Sequence, residues 1–318
     1  VNNKATAILV VYYSHSGETR SAITELVKYL RQRGHDVCVS AVRTEEEIPF
    51  PWNRARFFGV FSDTILGQPQ KVFLDPMPDE EKDWSLVILA FPPWYLSPAR
   101  PFQSLMQARW LDALSPGTPV VALLTCRNMW VAAMNDVKAW FGNQLKAFVV
   151  FADPHPNLIS LLTTLRFLLK GKKRLFGSWG PEAGFGLDRN RKKIERIAET
   201  LNETLHTGKW DELHQQWVNE QLVTVNPALL LMELRGRRNF IRFARFIESA
   251  DTEAKRQRRI QMLSWLLPFA VVLLSPLTFL LTQSLRILNK KKLERLCIRA
   301  VSLECLPPEI LASPHRKN

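Results

Sequence analysis

The sequence predicts an α/β protein: a doubly wound, parallel, five-stranded sheet, followed by a helical, basic extension that associates with a membrane. Three observations carry this prediction. Five short apolar runs alternate with helix-length segments up to Asp153. The positive charge is gathered in the second half of the chain. A run of 26 residues, 260–285, carries no charge at all.

The elements follow in order. Ala5 to Tyr13 is apolar without alternation, as in a strand covered on both faces. Thr19 to Arg33 has helical periodicity, with Ile23, Leu26, Val27 and Leu30 on one face and Gly34 as the stop. "HDVCVSAV", 35–42, is the second strand. Residues 43–78 read as irregular and are rich in Pro, Phe and Trp. "WSLVILAF", 84–91, "PVVALLT", 119–125, and "KAFVVFAD", 146–153, are the remaining strands. Helices fit at about 101–113 and 129–142. "NLISLLTTLRFLLKGKKR" is an apolar helix with a basic end, and 190–206 is an amphipathic helix packed last on the sheet. The chain divides into a domain over 1–206, a basic amphipathic helical extension over 207–259, a membrane segment over 260–285 and a basic tail over 286–318.

Strands alternating with helices imply right-handed crossovers and a parallel sheet, and five such strands fit a flavodoxin-like topology. Ligands of such sheets sit at the carboxyl ends of the strands, beside the switch point. The loops that matter are then 14–19, 92–100 and 126–130. The first reads Ser14-His15-Ser16-Gly17-Glu18-Thr19 and leads from a strand into a helix. Backbone N–H groups and a helix N-terminus converge there, which makes an anion cradle. The spacing is not that of a triphosphate-binding loop, and no lysine is present. It matches the flavodoxin phosphate loop, (S/T)-x-(S/T)-G-x-(S/T), whose ligand is the monophosphate of FMN. The second loop offers Pro93, Trp94, Tyr95 and Leu96, with two flat side chains for stacking on a flat cofactor. The third offers Cys126, Arg127 and Asn128 for the flavin edge where reduction builds negative charge. Arg127, Arg54 and Arg56 are the candidate donors to a substrate oxyanion.

The formal net charge is +13, which implies an anionic partner. No nucleic-acid module is visible, and the basic residues alternate with long apolar ones as on a lipid-facing helix, so no nucleic-acid partner is expected. Cys38, Cys126, Cys297 and Cys305 form no CxxC pair; they read as reduced cytosolic thiols, and no metal is expected. The first thirteen residues run straight into a strand, so no secretory signal is expected.

Several strings, "YYSHSGETR", "DWSLVILAFPPWYLSP", "TCRNMWVAAMNDVK", and "LKGKK" with "PEAGFG", give the chain a resemblance to a flavodoxin-like bacterial family known as dialkylresorcinol condensing enzymes. "PFPW" with "FFGVFSDTILGQP" belongs to the same resemblance, which spans about residues 7 to 190. Where that family has SQTG, this chain has Ser14-His15-Ser16-Gly17, which keeps the hydroxyl at Ser16. The resemblance implies an FMN-dependent oxidoreductase that aromatises a cyclohexanedione-type intermediate to a dialkylresorcinol-like lipid. It also implies a partner ketosynthase and acyl carrier protein. A quinone or NAD(P)H reductase, an electron-transfer flavodoxin, and a flavin-less membrane adaptor are the alternatives.

As a helix, residues 260–285 would span about 39 Å, enough for a bilayer core of about 30 Å, with Pro268 and Pro276 as kinks. Basic clusters flank both sides, so orientation is open. The expectation is attachment to the cytoplasmic face of the inner membrane through a lipid surface. Oligomeric state is not legible.

Overall fold

A computed structural model of the protein describes residues 6–108, 110, 117–267 and 290–311. β1 (Ala7–Tyr12) leads through α1 (Glu18–Gln32) to β2 (Asp36–Thr44). Two short helices, α2 (Arg54–Gly59) and α3 (Phe61–Leu66), precede β3 (Val72–Asp75) and β4 (Leu86–Phe91). A small hairpin, β5 (Pro93–Trp94) and β6 (Ser97–Pro98), opens into α4 (Arg100–Gln107). Then come β7 (Val120–Cys126), α5 (Val131–Phe141), β8 (Leu145–Ala152) and α6 (Asn157–Lys170). A second hairpin, β9 (Arg174–Phe176) and β10 (Trp179–Glu182), precedes α7 (Leu187–Thr207), α8 (Trp210–Asn219) and α9 (Pro227–Glu248). Residues 253–267 are helical, and a C-terminal helix spans Lys290–Val301.

The central sheet has the order β3-β2-β1-β4-β7-β8. All neighbours are parallel except β2 and β3. Counted over the parallel strands alone, the order is 2-1-3-4-5, the flavodoxin-type doubly wound topology. Its switch point lies between β1 and β4, so the loops after these two strands flank the crevice. Ile8 to Val11 and Leu86 to Phe91 have no exposed surface, which is why these runs show no alternation.

The sheet has six strands rather than five. The sixth is β3, inside the segment expected to be irregular. It pairs antiparallel with β2 from Thr44↔Val72 to Ala41↔Asp75. Four residues are too few to show a period, and an edge strand this short is stable only because β2 is already in place.

The extension is packed onto the domain. The buried side of α9 carries Leu230, Glu233, Leu234, Arg237, Ile241, Ala244 and Ile247 at helical spacing. Phe58, Phe61 and Ile65 of α2 and α3 meet Ile241, Ala244 and Ile247 in a second apolar cluster, which Ile260 and Leu263 complete. This corrects the lipid-facing reading of α9: its apolar side is covered by protein, and Arg235, Arg238, Arg242 and Arg245 lie on the exposed side. Amphipathicity fixes that a face must be covered, not what covers it.

The tail is also fastened. Lys138 Nζ donates to the carbonyl of Ala300 at 3.0 Å, and His214 Nε2 to that of Val301 at 2.7 Å. Both occupy the C-terminal end of the last helix, where carbonyls lack helical partners. Of the uncharged run, residues 260–267 are helical, with Ile260, Leu263 and Ser264 buried and Met262, Trp265 and Leu266 exposed. Residues 268–285 of the expected membrane segment lie outside the described residues. Among the described residues, no helix is long and apolar enough to cross a membrane.

Candidate functional site

The loop after β1 turns through Gly17, whose φ of +86° lies in the left-handed region. Glycine takes that conformation without strain. No atom stands within 4 Å of where a Cβ would be, so the turn is open there. α1 starts at the next residue. Among the described residues, the N–H groups of Ser16, Gly17, Glu18 and Thr19 have no protein acceptor. Ser14 Oγ accepts the N–H of Arg20 at 3.2 Å and so shapes the loop from inside. Among the described residues, Ser16 makes no side-chain hydrogen bond. Thr19 is different: its hydroxyl meets that of Thr125 at 2.6 Å, both buried. The cradle therefore consists of backbone N–H groups with Ser16, while Thr19 ties α1 to β7.

Glu18 brings a carboxylate to the same turn. It is held away by Lys173 Nζ at 2.5 Å and by the N–H of Phe185 at 3.3 Å. Gly184 permits this approach, since a Cβ there would collide with the Glu18 carboxylate. The cation absent from the loop thus arrives from the segment before β9.

An aromatic wall stands beside the cradle. His15 meets Trp52 at 4.7 Å, Phe50 at 5.4 Å and Trp94 at 5.8 Å between ring centres. Trp52 meets Trp94 edge-on at 4.9 Å, and Tyr13 meets Trp94 at 5.5 Å. The segment carrying Trp52 is pinned to α6, because the N–H of Trp52 donates to the Leu168 carbonyl at 2.8 Å. Burial lowers the pKa of His15 to about 4, so it is neutral at pH 7. Its Nε2, the Nε1 of Trp52 and the Oδ1 of Asn128 are buried without a partner among the described residues. Each such atom costs about 1–3 kcal/mol unless something pairs with it.

Tyr95 does not join this wall. Its ring packs on Phe57 and Phe61, and its hydroxyl donates to the Phe57 carbonyl. Tyr95 and Leu96 have φ of 49° and 65°, left-handed values that cost non-glycine residues about 1–2 kcal/mol each. α9 holds this strained turn in place. Arg237, 1% exposed, donates to the Leu96 carbonyl at 2.8 Å, to the Ser97 hydroxyl, and to Asp136 at 2.8 Å. Pro93 pairs with Pro98 across the small hairpin.

The loop after β7 is bound to the start of α6. Arg127 Nη1 donates to Asn157 Oδ1 at 2.7 Å and to its carbonyl at 3.0 Å, and Asn128 Nδ2 donates to Asn157 Oδ1 at 3.1 Å. Burial lowers the pKa of Arg127. Burial, with Glu233 nearby, raises that of the Cys126 thiol far above its usual range, which leaves it un-ionised. Glu233 of α9 accepts the N–H of Ala132 at 2.7 Å at the start of α5; burial raises its pKa to about 7. Arg54 and Arg56 are not brought to the three loops: Arg54 donates to the Ser264 carbonyl at 2.7 Å and lies 4.2 Å over Trp265, while Arg56 reaches the Glu47 carbonyl at 3.4 Å.

The structure adds groups that the sequence reading missed. Arg237 and Glu233 come from the extension, far along the chain from any motif. Asp153 and His155 form a dyad at the end of β8, with Nδ1 2.7 Å from Asp153 Oδ1 and Ser160 Oγ donating to Asp153 Oδ2 at 2.9 Å. The spacing D-x-H after a strand was their one visible signal.

No family model and no curated protein matches the chain. Solved structures with similarity include a flavoprotein in complex with FMN from Lactobacillus acidophilus, 20% identical over 46% of this chain and 91% of that one, with a TM-score of 0.33. A flavodoxin from the domain Archaea is 13% identical over 63% of this chain and 99% of that one, with a TM-score of 0.36. The flavodiiron protein from Giardia intestinalis is 12% identical over 65% of this chain and 37% of that one, with a TM-score of 0.35. The doubly wound topology stands on the strand order itself.

Proposed function

We propose that the protein is a flavin-dependent redox enzyme that holds the FMN phosphate on loop 14–19. The observation that carries this reading is the set of four unpaired N–H groups, Ser16 to Thr19, at the open N-terminus of α1 beside the switch point. The residues fit a phosphate: donors converge, Gly17 leaves room, and Lys173 neutralises Glu18. The buried Oδ1 of Asn128 is an acceptor that a ring N–H would satisfy. Trp94 and Trp52, packed edge-on at 4.9 Å, are the flat side chains that would flank a flat ring.

When bound, FMN supplies hydride acceptance. The chain's own residues then do the rest. Trp52, Phe50 and Trp94 exclude water, Arg127 fixes the loop after β7, and Asp153 orients the His155 imidazole at the end of β8. The finer reading assigns aromatisation of an alkyl cyclohexanedione to a dialkylresorcinol-like lipid, at a membrane to which residues 260–285 attach the protein. It rests on the motif resemblance and on Phe50 and Trp52, apolar side chains packed on His15 beside the cradle. A second reading, a flavin-less adaptor, draws on the packing of His15, Trp52 and Trp94 against one another.

Purified full-length protein titrated with FMN separates the two. Saturable binding with a perturbed flavin spectrum is expected; no binding removes the enzyme reading. Anaerobic mixing of the loaded protein with an alkyl cyclohexane-1,3-dione should bleach the flavin band and yield the resorcinol. Bleaching by NAD(P)H alone would make it a reductase.

A further inference from the structure

We propose that α6 and the β9–β10 hairpin form a docking face for an anionic lipid bilayer, distinct from the uncharged segment 260–285. It does not depend on the flavin.

α6 buries Ser160, Thr163 and Phe167 against the domain. At 100° per residue, Leu158, Leu162, Leu165 and Leu169 fall on the opposite side. Leu158 is 45% and Leu162 42% exposed, and Leu165 and Leu169 are half-buried. A surface helix normally places polar residues there. This helix instead carries leucine on its outer stripe over nearly its whole length.

The hairpin extends the same region. Arg166 of α6 donates from Nε to the Arg174 carbonyl at 2.8 Å, so the two elements are joined. At the hairpin tip, Phe176 and Trp179 are cross-strand partners stacked at 4.8 Å, yet they are 52% and 66% exposed. An aromatic pair spending its contact area on the tip of a solvent hairpin is well suited to the headgroup level of a bilayer.

Charge selects the occupant. Residues 157–182 contain Arg166, Lys170, Lys172, Lys173 and Arg174 against a single acid, Glu182. Lys173 is taken by Glu18, and Arg174 lies 3.6 Å from Glu182. Among the described residues, Lys170 and Lys172 have no ion pair, and both are exposed. An apolar stripe and an aromatic tip with an uncompensated basic collar match acyl chains beneath phosphate headgroups.

The test uses the full chain, kept in an uncharged detergent and then mixed with vesicles of phosphatidylglycerol and phosphatidylcholine. Amide hydrogen exchange over 157–182 should slow on these vesicles and not on phosphatidylcholine alone. The variant Phe176→Ser/Trp179→Ser should lose the slowing while exchange in the central strands stays native, which shows that the fold is intact. Lys170→Glu/Lys172→Glu should weaken the lipid-induced protection by about 25-fold or more, as roughly fivefold for each of two basic residues implies. Unchanged exchange over 157–182 on anionic vesicles overturns the proposal. So does slowing that follows protein concentration without lipid, which would assign the face to a second copy of the chain.

Discussion

Arg237 and Asp136, 101 residues apart, form an ion pair at 2.8 Å that is almost wholly closed to solvent. The same guanidinium donates to the Leu96 carbonyl, so one side chain of α9 holds both α5 and the strained turn after β4. Replacing Arg237 with Met should therefore destabilise the whole domain. Removing one member of a buried pair costs about 3–5 kcal/mol. Urea unfolding of the two proteins measures this; a loss below about 1 kcal/mol would show that the turn holds itself.

Ser16 and Thr19 should respond differently to truncation, although the motif treats them alike. Ser16→Ala removes a neutral donor worth about 1 kcal/mol, so FMN affinity should drop by about fivefold with stability unchanged. Thr19→Ala strands the buried Thr125 hydroxyl, at about 1–3 kcal/mol of stability. Its effect on FMN affinity should be small. Titration and unfolding on both variants check this; equal losses of affinity would place the Thr19 hydroxyl on the phosphate.

Lys173 should matter to an anion it does not touch. In Lys173→Ala the Glu18 carboxylate keeps the N–H of Phe185 but its charge beside the cradle is uncompensated. The pair is partly exposed, so the effect is small: about two- to fivefold weaker FMN binding, largest at low salt. Lys173→Arg should restore most of it. Affinity independent of residue 173 at every salt concentration would sink the electrostatic role.

His214 should make stability fall in acid. Nε2 donates to the Val301 carbonyl, and Nδ1 accepts the Phe148 N–H at 3.5 Å, so the ring is held neutral. Burial lowers its pKa from 6.5 to about 4. The unfolded chain binds the proton first, so this contribution is complete above pH 6.5 and lost as the pH falls toward 4. Its size is about 3 kcal/mol. His15 is shifted the same way, so the difference between wild type and His214→Asn isolates it. That difference, followed by urea unfolding, should shrink between pH 6.5 and 4; a difference that does not vary with pH would contradict the buried neutral ring.

The sequence by itself determined the parallel strands, the helix after the first of them and the phosphate-loop pattern. Each of these is local: a run of apolar residues covered on both faces, a 3.6-residue period, a small residue able to turn with positive φ. Val72–Asp75 was not legible because four residues carry no period, and only β2 makes them a strand. Tertiary structure alone decided what the side chains do. It turned the Thr19 hydroxyl to Thr125, drew Tyr95 onto Phe57 and Phe61, and sent Arg54 to Ser264. It covered the apolar side of α9 with α3 while leaving the leucines of α6 outside. A hydrophobic period says that a helix has a face to bury. Which partner buries it depends on contacts between residues far apart in the chain, and those exist only once the sheet has brought them together.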